Sequence, residues 1–192
     1  IIVHGGPGTG KTSTVVKILQ LITEARRLSG LETRVALTAP TGKAAAKLAA
    51  SANAWQDGEG RPAAESFTIH RLLGYSPGSG FRHGRDNPVD YDVVVADECS
   101  MADLRLMHSF FSALKPGSRL ILLGDRDQLA SVEGGAVFGD ICGAGGADYS
   151  SGMAEWCSML TGSVLTAGRG SGPAIRDSLT FLARNWRFGE GS

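Results

Sequence analysis

Near its start the chain carries Gly5-Gly6-Pro7-Gly8-Thr9-Gly10-Lys11-Thr12, which fits G-x-x-x-x-G-K-[ST] at every fixed position. That combination suits phosphate chemistry. Glycines let successive backbone N–H groups point into one concavity, and a helix starting there adds partial positive charge. Lys11 is the one full positive charge in the loop and is placed to meet β- and γ-phosphates. Thr12 offers a hydroxyl of the kind that ligates Mg²⁺. With Ser13 continuing the same helical turn, Gly5 to Ser13 reads as a nucleotide-binding segment, because it lies between an apolar strand and a helix.

A second group lies roughly 85 residues downstream, where Val93-Val94-Val95-Ala96 runs into Asp97-Glu98. Open α/β sheets bind ligands beyond the carboxyl ends of their strands, so this pair belongs at the same edge as the phosphate loop. Asp97 is expected to hold Mg²⁺ through water, and Glu98 to polarise an attacking water as general base. Arg119–Leu123 leads in the same way into Gly124-Asp125-Arg126-Asp127-Gln128, making Gln128 a candidate to position that water. Cys99 has no activating base near it in sequence and reads as a packing residue.

The elements that must position these groups follow from hydrophobic period. Strands are expected at Ile1–His4, Arg34–Leu37, Tyr91–Ala96, Arg119–Leu123 and Leu179–Leu182. Helices are expected at Lys11–Leu28, at Gly42–Ala52 with Thr41 as N-cap, at Thr68–Leu73, and at Ala102–Leu114. The last should turn Leu104, Met107, Phe110, Phe111 and Leu114 inward. Residues 53–66 read as a loop, 74–88 as an exposed excursion, and 143–176 as a mobile Gly/Ser-rich segment. Alternating strand and helix, with continuous apolar strands, predicts an α/β domain: a mostly parallel sheet with helices on both faces.

Composition narrows the class without naming it. Lys plus Arg and Asp plus Glu stand at 19 each, so net charge does not advertise a nucleic-acid partner. The first 47 residues nevertheless hold seven basic side chains against two acidic ones. No apolar run is long enough to cross a membrane. Three cysteines, Cys99, Cys142 and Cys157, lack metal-site spacing and fit a reducing cytoplasm. Both ends read as cut from a longer chain.

The order of the segments carries a family resemblance. Gly5–Thr12, Ala39-Pro40-Thr41-Gly42-Lys43-Ala44-Ala45, Thr68-Ile69-His70-Arg71-Leu72-Leu73, Asp97-Glu98-Cys99-Ser100-Met101 and Gly124–Leu129 resemble motifs I, Ia, Ib, II and III of superfamily 1 helicases. Asn185-Trp186-Arg187-Phe188 resembles motif IV. Ala39–Ala45, Thr68–Gly74 and Gly124–Glu133 are similar to the RecD family in particular, the alpha subunit of exodeoxyribonuclease V.

The resemblance implies a RecA-like P-loop NTPase fold over residues 1–188, the first of two motor domains. Motifs V and VI, which the second would supply, are not in this sequence. It further implies ATP and Mg²⁺ as cofactors and 5′→3′ movement on single-stranded DNA. RecB and RecC are the implied partners, in double-strand-break repair and recombination. Thr41, Lys43, Thr68 and His70 are then the candidate DNA contacts, and Arg187 the arginine approaching the γ-phosphate. Two positions depart from the family pattern: Cys99 replaces a small alanine, and His4 stands where Ser or Thr is common.

Other readings stay open at this point. A GTPase would need Asn-Lys-x-Asp, which is absent, and Leu28-Ser29-Gly30-Leu31 departs from an ABC-type signature at its fourth residue. A nucleotide-switched DNA-binding scaffold would use the same loop without turnover.

Overall fold

Runs such as Val93-Val94-Val95-Ala96 have no polar face, and the structure buries all four residues. The computed structural model describes residues 1–53, 64–128, 137–144, 148–168 and 172–186. Its strands are β1 (Ile2–His4), β2 (Val35–Ala39), β3 (Ala64–Thr68), β4 (Val93–Ala96), β5 (Arg119–Gly124) and β6 (Leu179–Phe181). They form one sheet in the order β3-β2-β4-β5-β1-β6, and every neighbouring pair is parallel.

Helices cover both faces, and each face has its own core. Val3, Leu37, Val93, Val95, Ile121 and Leu123 point to one side. There they meet Val15 and Leu19 of α1 (Lys11–Leu28) and Leu48 of α2 (Gly42–Asn53). Ile2, Val94, Ala96 and Leu122 point to the other. They pack on Ile69 and Leu72 of α3 (Ile69–Leu72), on Leu106, Met107 and Phe110 of α4 (Leu104–Ser112), and on Phe138 of α5 (Val137–Ala144). This is the RecA-like α/β architecture expected from the sequence.

Parallel strands bring all carboxyl ends to one edge. Because β5 lies between β4 and β1, the loops after these three strands are neighbours there. The loops after β2 and β3 lie farther along the same edge.

Two expectations need correction, and a third segment carries elements that were not expected. Residues 64–66 are not loop but the start of β3, an edge strand that is half-buried to exposed along its length. Its polar sequence is tolerated because only one side pairs. The 143–176 segment carries a helix, α6 (Ser151–Thr161), and a 3₁₀ turn at Ala174–Ser178. Ser150 caps α6 by accepting from Met153 N (3.2 Å), while Asp177 holds Ser150 through its backbone N (2.7 Å) and hydroxyl (2.6 Å). Finally, Leu104 is exposed and Leu106 takes the inward position, because Asp103 caps the helix by accepting from Leu106 N at 2.7 Å. The excursion at 74–88 is tethered, with Arg82 N and His83 N both donating to Leu73 O at 3.0 Å.

Candidate nucleotide-binding site

The phosphate loop leaves β1 at His4 and enters α1 at Lys11. Gly5 N donates to Gly124 O (3.3 Å), pinning the loop to the end of β5. A side chain at Gly5 would come within 2.5 Å of Leu182 O, so only glycine fits. Gly10, the residue before α1, has φ +88°, a left-handed conformation that lets the chain turn sharply into the helix. Thr9 closes the loop by donating to Gly6 O (2.9 Å). The Lys11 ammonium donates to Gly5 O (2.5 Å) and Gly6 O (3.0 Å), so its charge lies across the loop.

Beyond this loop is a cleft of about 500 Å³. Pro7, Gly8, Thr9, Gly10, Lys11, Thr12 and Ser13 line one side, and Asp97, Glu98 and Gln128 line the others. Three segments far apart in sequence thus line one cleft.

The two acids have different environments. Asp97 is 7% exposed, and its carboxylate accepts from Glu98 N at 2.8 Å. Burial pushes its carboxyl above the ordinary range. The Glu98 amide, then the charges of Lys11 and Lys47, pull the other way without reversing that. Glu98 is half-buried, with φ +54° and ψ +36°, the only non-glycine positive φ among the described residues. Such a conformation costs on the order of 1–3 kcal/mol in a non-glycine residue. Both adjacent carboxylates line the cleft, Asp97 buried and Glu98 half-buried.

Gln128 Oε1 accepts from the Ser100 hydroxyl at 2.8 Å, which ties the loop after β5 to the turn after β4 and orients the amide. Thr12 and Asp97 offer hard oxygen donors, and no cluster of three or more His, Cys, Asp or Glu occurs among the described residues. That donor set fits Mg²⁺, which keeps water and phosphate oxygens as its other ligands.

Cys99 is fully buried and donates to Ala96 O (3.1 Å), and burial pushes its thiol far up, so it packs rather than reacts. His4 is buried and stacked on Phe181 with centroids 5.1 Å apart. Burial first, and the Arg126 charge second, lower the His4 pKa.

The candidate DNA residues do not line the cleft. Thr41 lies just beyond β2 and Thr68 is the last residue of the adjacent β3, and a methyl built on Gly42 would lie 4.0 Å from Thr68 Cγ2. Both hydroxyls already cap helices: Thr41 accepts from Ala44 N (3.3 Å) and Thr68 from Arg71 N (3.2 Å). Lys43 is exposed on the first turn of α2. His70 is exposed and packs edge-on against Tyr75 (5.6 Å), beside Phe81. Arg187 lies outside the described residues. Its neighbour Trp186 lies inside them, donating from its backbone N to Gly8 O (3.0 Å) and lining the cleft.

Trp186, Ser100, Lys47, Ser51 and Asp125 are site residues that motif matching did not select. Ser100, Asp125 and Trp186 lie within the motif segments without being singled out by them, and Lys47 falls four residues after Lys43, on the same face of α2.

Known proteins match this arrangement of segments. The AAA domain family model covers residues 1–134. The RecBCD enzyme subunit RecD of Mycobacterium tuberculosis is 49% identical over 147 residues, 73% of this chain and 26% of that protein. The same subunit from Haemophilus influenzae is 39% identical over 203 residues, 100% of this chain and 31% of that protein. The ATP-dependent RecD2 DNA helicase of Deinococcus radiodurans is 45% identical over 135 residues, 70% of this chain and 16% of that protein. The chain thus spans less than a third of the length of these curated relatives. It belongs to the AAA domain family, and its sequence is RecD-like.

Proposed function

We propose that this chain is the nucleotide-binding wall of an ATP-driven 5′→3′ DNA helicase subunit of the exodeoxyribonuclease V type, acting in double-strand-break repair and recombination. The observation that carries the reading is the single cleft shared by Lys11, Asp97, Glu98 and Gln128. A binding scaffold would need the loop alone. Hydrolysis needs the acid beyond it as well.

In this reading Gly5 to Ser13 cradle the phosphates, and Lys11 stabilises charge on the transferred group. Thr12 and Asp97 would hold Mg²⁺, which when bound neutralises phosphate charge. Glu98 accepts the proton of the attacking water, and Gln128, oriented by Ser100, positions that water. Arg187 would approach the γ-phosphate at the end of this chain, facing a second motor domain. Thr41, Lys43, Thr68 and His70 would meet the single strand along the β2–β3 part of the edge, where hydroxyl, ammonium and imidazole groups suit phosphate contacts. RecB-like and RecC-like subunits are the proposed partners, supported by the names of the relatives. The cytoplasm is the proposed compartment, supported by three unpaired thiols.

The test is steady-state ATP hydrolysis by the full-length protein with and without single-stranded DNA, alongside GTP and a strand-displacement assay. DNA-stimulated ATP turnover with unwinding is expected. Binding without turnover would favour a nucleotide-switched scaffold, and preference for GTP a different P-loop enzyme.

A further inference from the structure

Helix α2 begins where DNA contact is proposed and runs past the nucleotide cleft. Lys43, Lys47 and Ser51 are spaced by four residues, so they form one stripe along it. Lys43 is on the first turn, and Lys47 and Ser51, one and two turns later, line the cleft with Lys11, Asp97 and Glu98. One helical turn rises about 5.4 Å. An exposed ammonium at the DNA end and a second ammonium at the nucleotide end are thus joined by a single rigid turn. Ser51 donates to Lys47 O (3.0 Å), within the helix.

The charge balance of the cleft gives Lys47 a task. Lys11 and Lys47 face three carboxylates: Asp97, Glu98 and Asp125. A nucleoside triphosphate brings further negative charge even with a divalent cation. Lys47 makes no ion pair among the described residues, yet it is close enough for its charge to act on Asp97. A long, mobile ammonium without a fixed partner is a suitable donor for phosphate oxygens.

We propose that Lys47 is a second phosphate-binding cation of the cleft, contacting the terminal phosphate of ATP and linking it through one turn of α2 to the DNA-side residue Lys43. The assignment rests on the ATPase reading above. It makes α2 the element through which DNA and nucleotide sense each other. Because such coupling is reciprocal, DNA should tighten ATP binding as much as ATP tightens DNA binding.

The experiment uses the full-length protein and measures equilibrium binding of a non-hydrolysable ATP analogue and of ADP, with Mg²⁺, with and without a single-stranded oligonucleotide. Lys47→Met keeps the aliphatic stem and helix propensity while removing the charge. It should weaken the ATP analogue by about tenfold, the scale of one charge-assisted hydrogen bond. ADP affinity should change little, and the tightening by DNA should be lost. Lys47→Arg should restore most of the discrimination. Wild-type affinity for the analogue in Lys47→Met, or equal weakening of ATP analogue and ADP, overturns the assignment while leaving the ATPase reading intact. Absence of nucleotide binding in the wild-type protein overturns both.

Discussion

The two edges of the same sheet both carry clustered acids, and they treat them oppositely. At the amino edge Asp92 accepts from Arg34 N (2.8 Å) and is bridged by Lys115 (3.0 Å) and Arg26 (3.5 Å). Its neighbour Asp90 pairs with Lys115 (2.9 Å) and with Arg34, whose guanidinium also lies 5.1 Å above the Tyr91 ring. The Arg34 amide, then Lys115 and Arg26, hold Asp92 below the ordinary carboxylate range. At the carboxyl edge Asp97 is buried and pushed above that range, and Glu98 sits on a strained backbone. One edge spends its acids on holding β2, β4 and β5 together. The other holds its acids at a cost to stability, which is the pattern expected where charge is kept for a ligand.

The largest effect should come from removing the cradle's own charge. Lys11→Ala in the full-length protein is expected to lower kcat for ATP by about 10³-fold, the scale of losing a preorganised phosphate-stabilising charge. The fold should remain intact, because the ammonium's hydrogen bonds go to loop carbonyls alone. Normal turnover in a folded variant would remove the basis for calling this edge functional.

The two edges can then be compared with one chemical change. Asp92→Asn should destabilise the protein by about 1–2 kcal/mol, modest because the network is partly exposed and screened. Asp92 has a folded pKa below its unfolded one. Its contribution is therefore fully present above the unfolded value and is lost as pH falls through the folded one. The Tm gap between wild type and variant should persist from neutral pH down to the ordinary carboxylate range and close below it.

Asp97→Asn should act in the reverse direction and more weakly. Its folded pKa is raised, so ionisation of the buried carboxyl disfavours the fold as pH rises above the ordinary carboxylate range. The variant should have a higher Tm than wild type at neutral pH, with the gap closing on acidification. ATP and Mg²⁺ should stabilise the wild type more than the variant. A lower Tm for Asp97→Asn at pH 7 would erase the contrast between the edges.

Much of this was readable from the sequence, and the gaps have physical causes. The bounds of α1 coincide with the expected Lys11–Leu28, because the glycine loop fixes its start and the apolar period its length. β4 and β5 announced themselves as unbroken apolar runs. β3 did not, since Ala64-Glu65-Ser66-Phe67-Thr68 is an edge strand with no such run. Helix α6 was hidden by Gly and Ser, although Ser150 and the left-handed Gly162 mark its two ends. In the site, the loop, the acid pair and Gln128 are local patterns and could be found. The Ser100–Gln128 bond joins residues 28 positions apart, and Lys47 lines the same cleft as Asp97 from a distant segment, which no local pattern encodes.

The most direct test of hydrolysis at this edge is Glu98→Gln in the full-length protein, measured in two ways on the same preparation. Glutamine keeps the side chain's shape but loses the oxygen that accepts water's proton. ATP affinity should stay within about twofold of wild type, while the single-turnover hydrolysis rate falls by about 10²–10⁴-fold, the range for loss of a general base. If affinity and rate fell together, Glu98 would be a structural or metal-binding residue, and the assignment of this cleft as a site built around it for ATP hydrolysis would be contradicted.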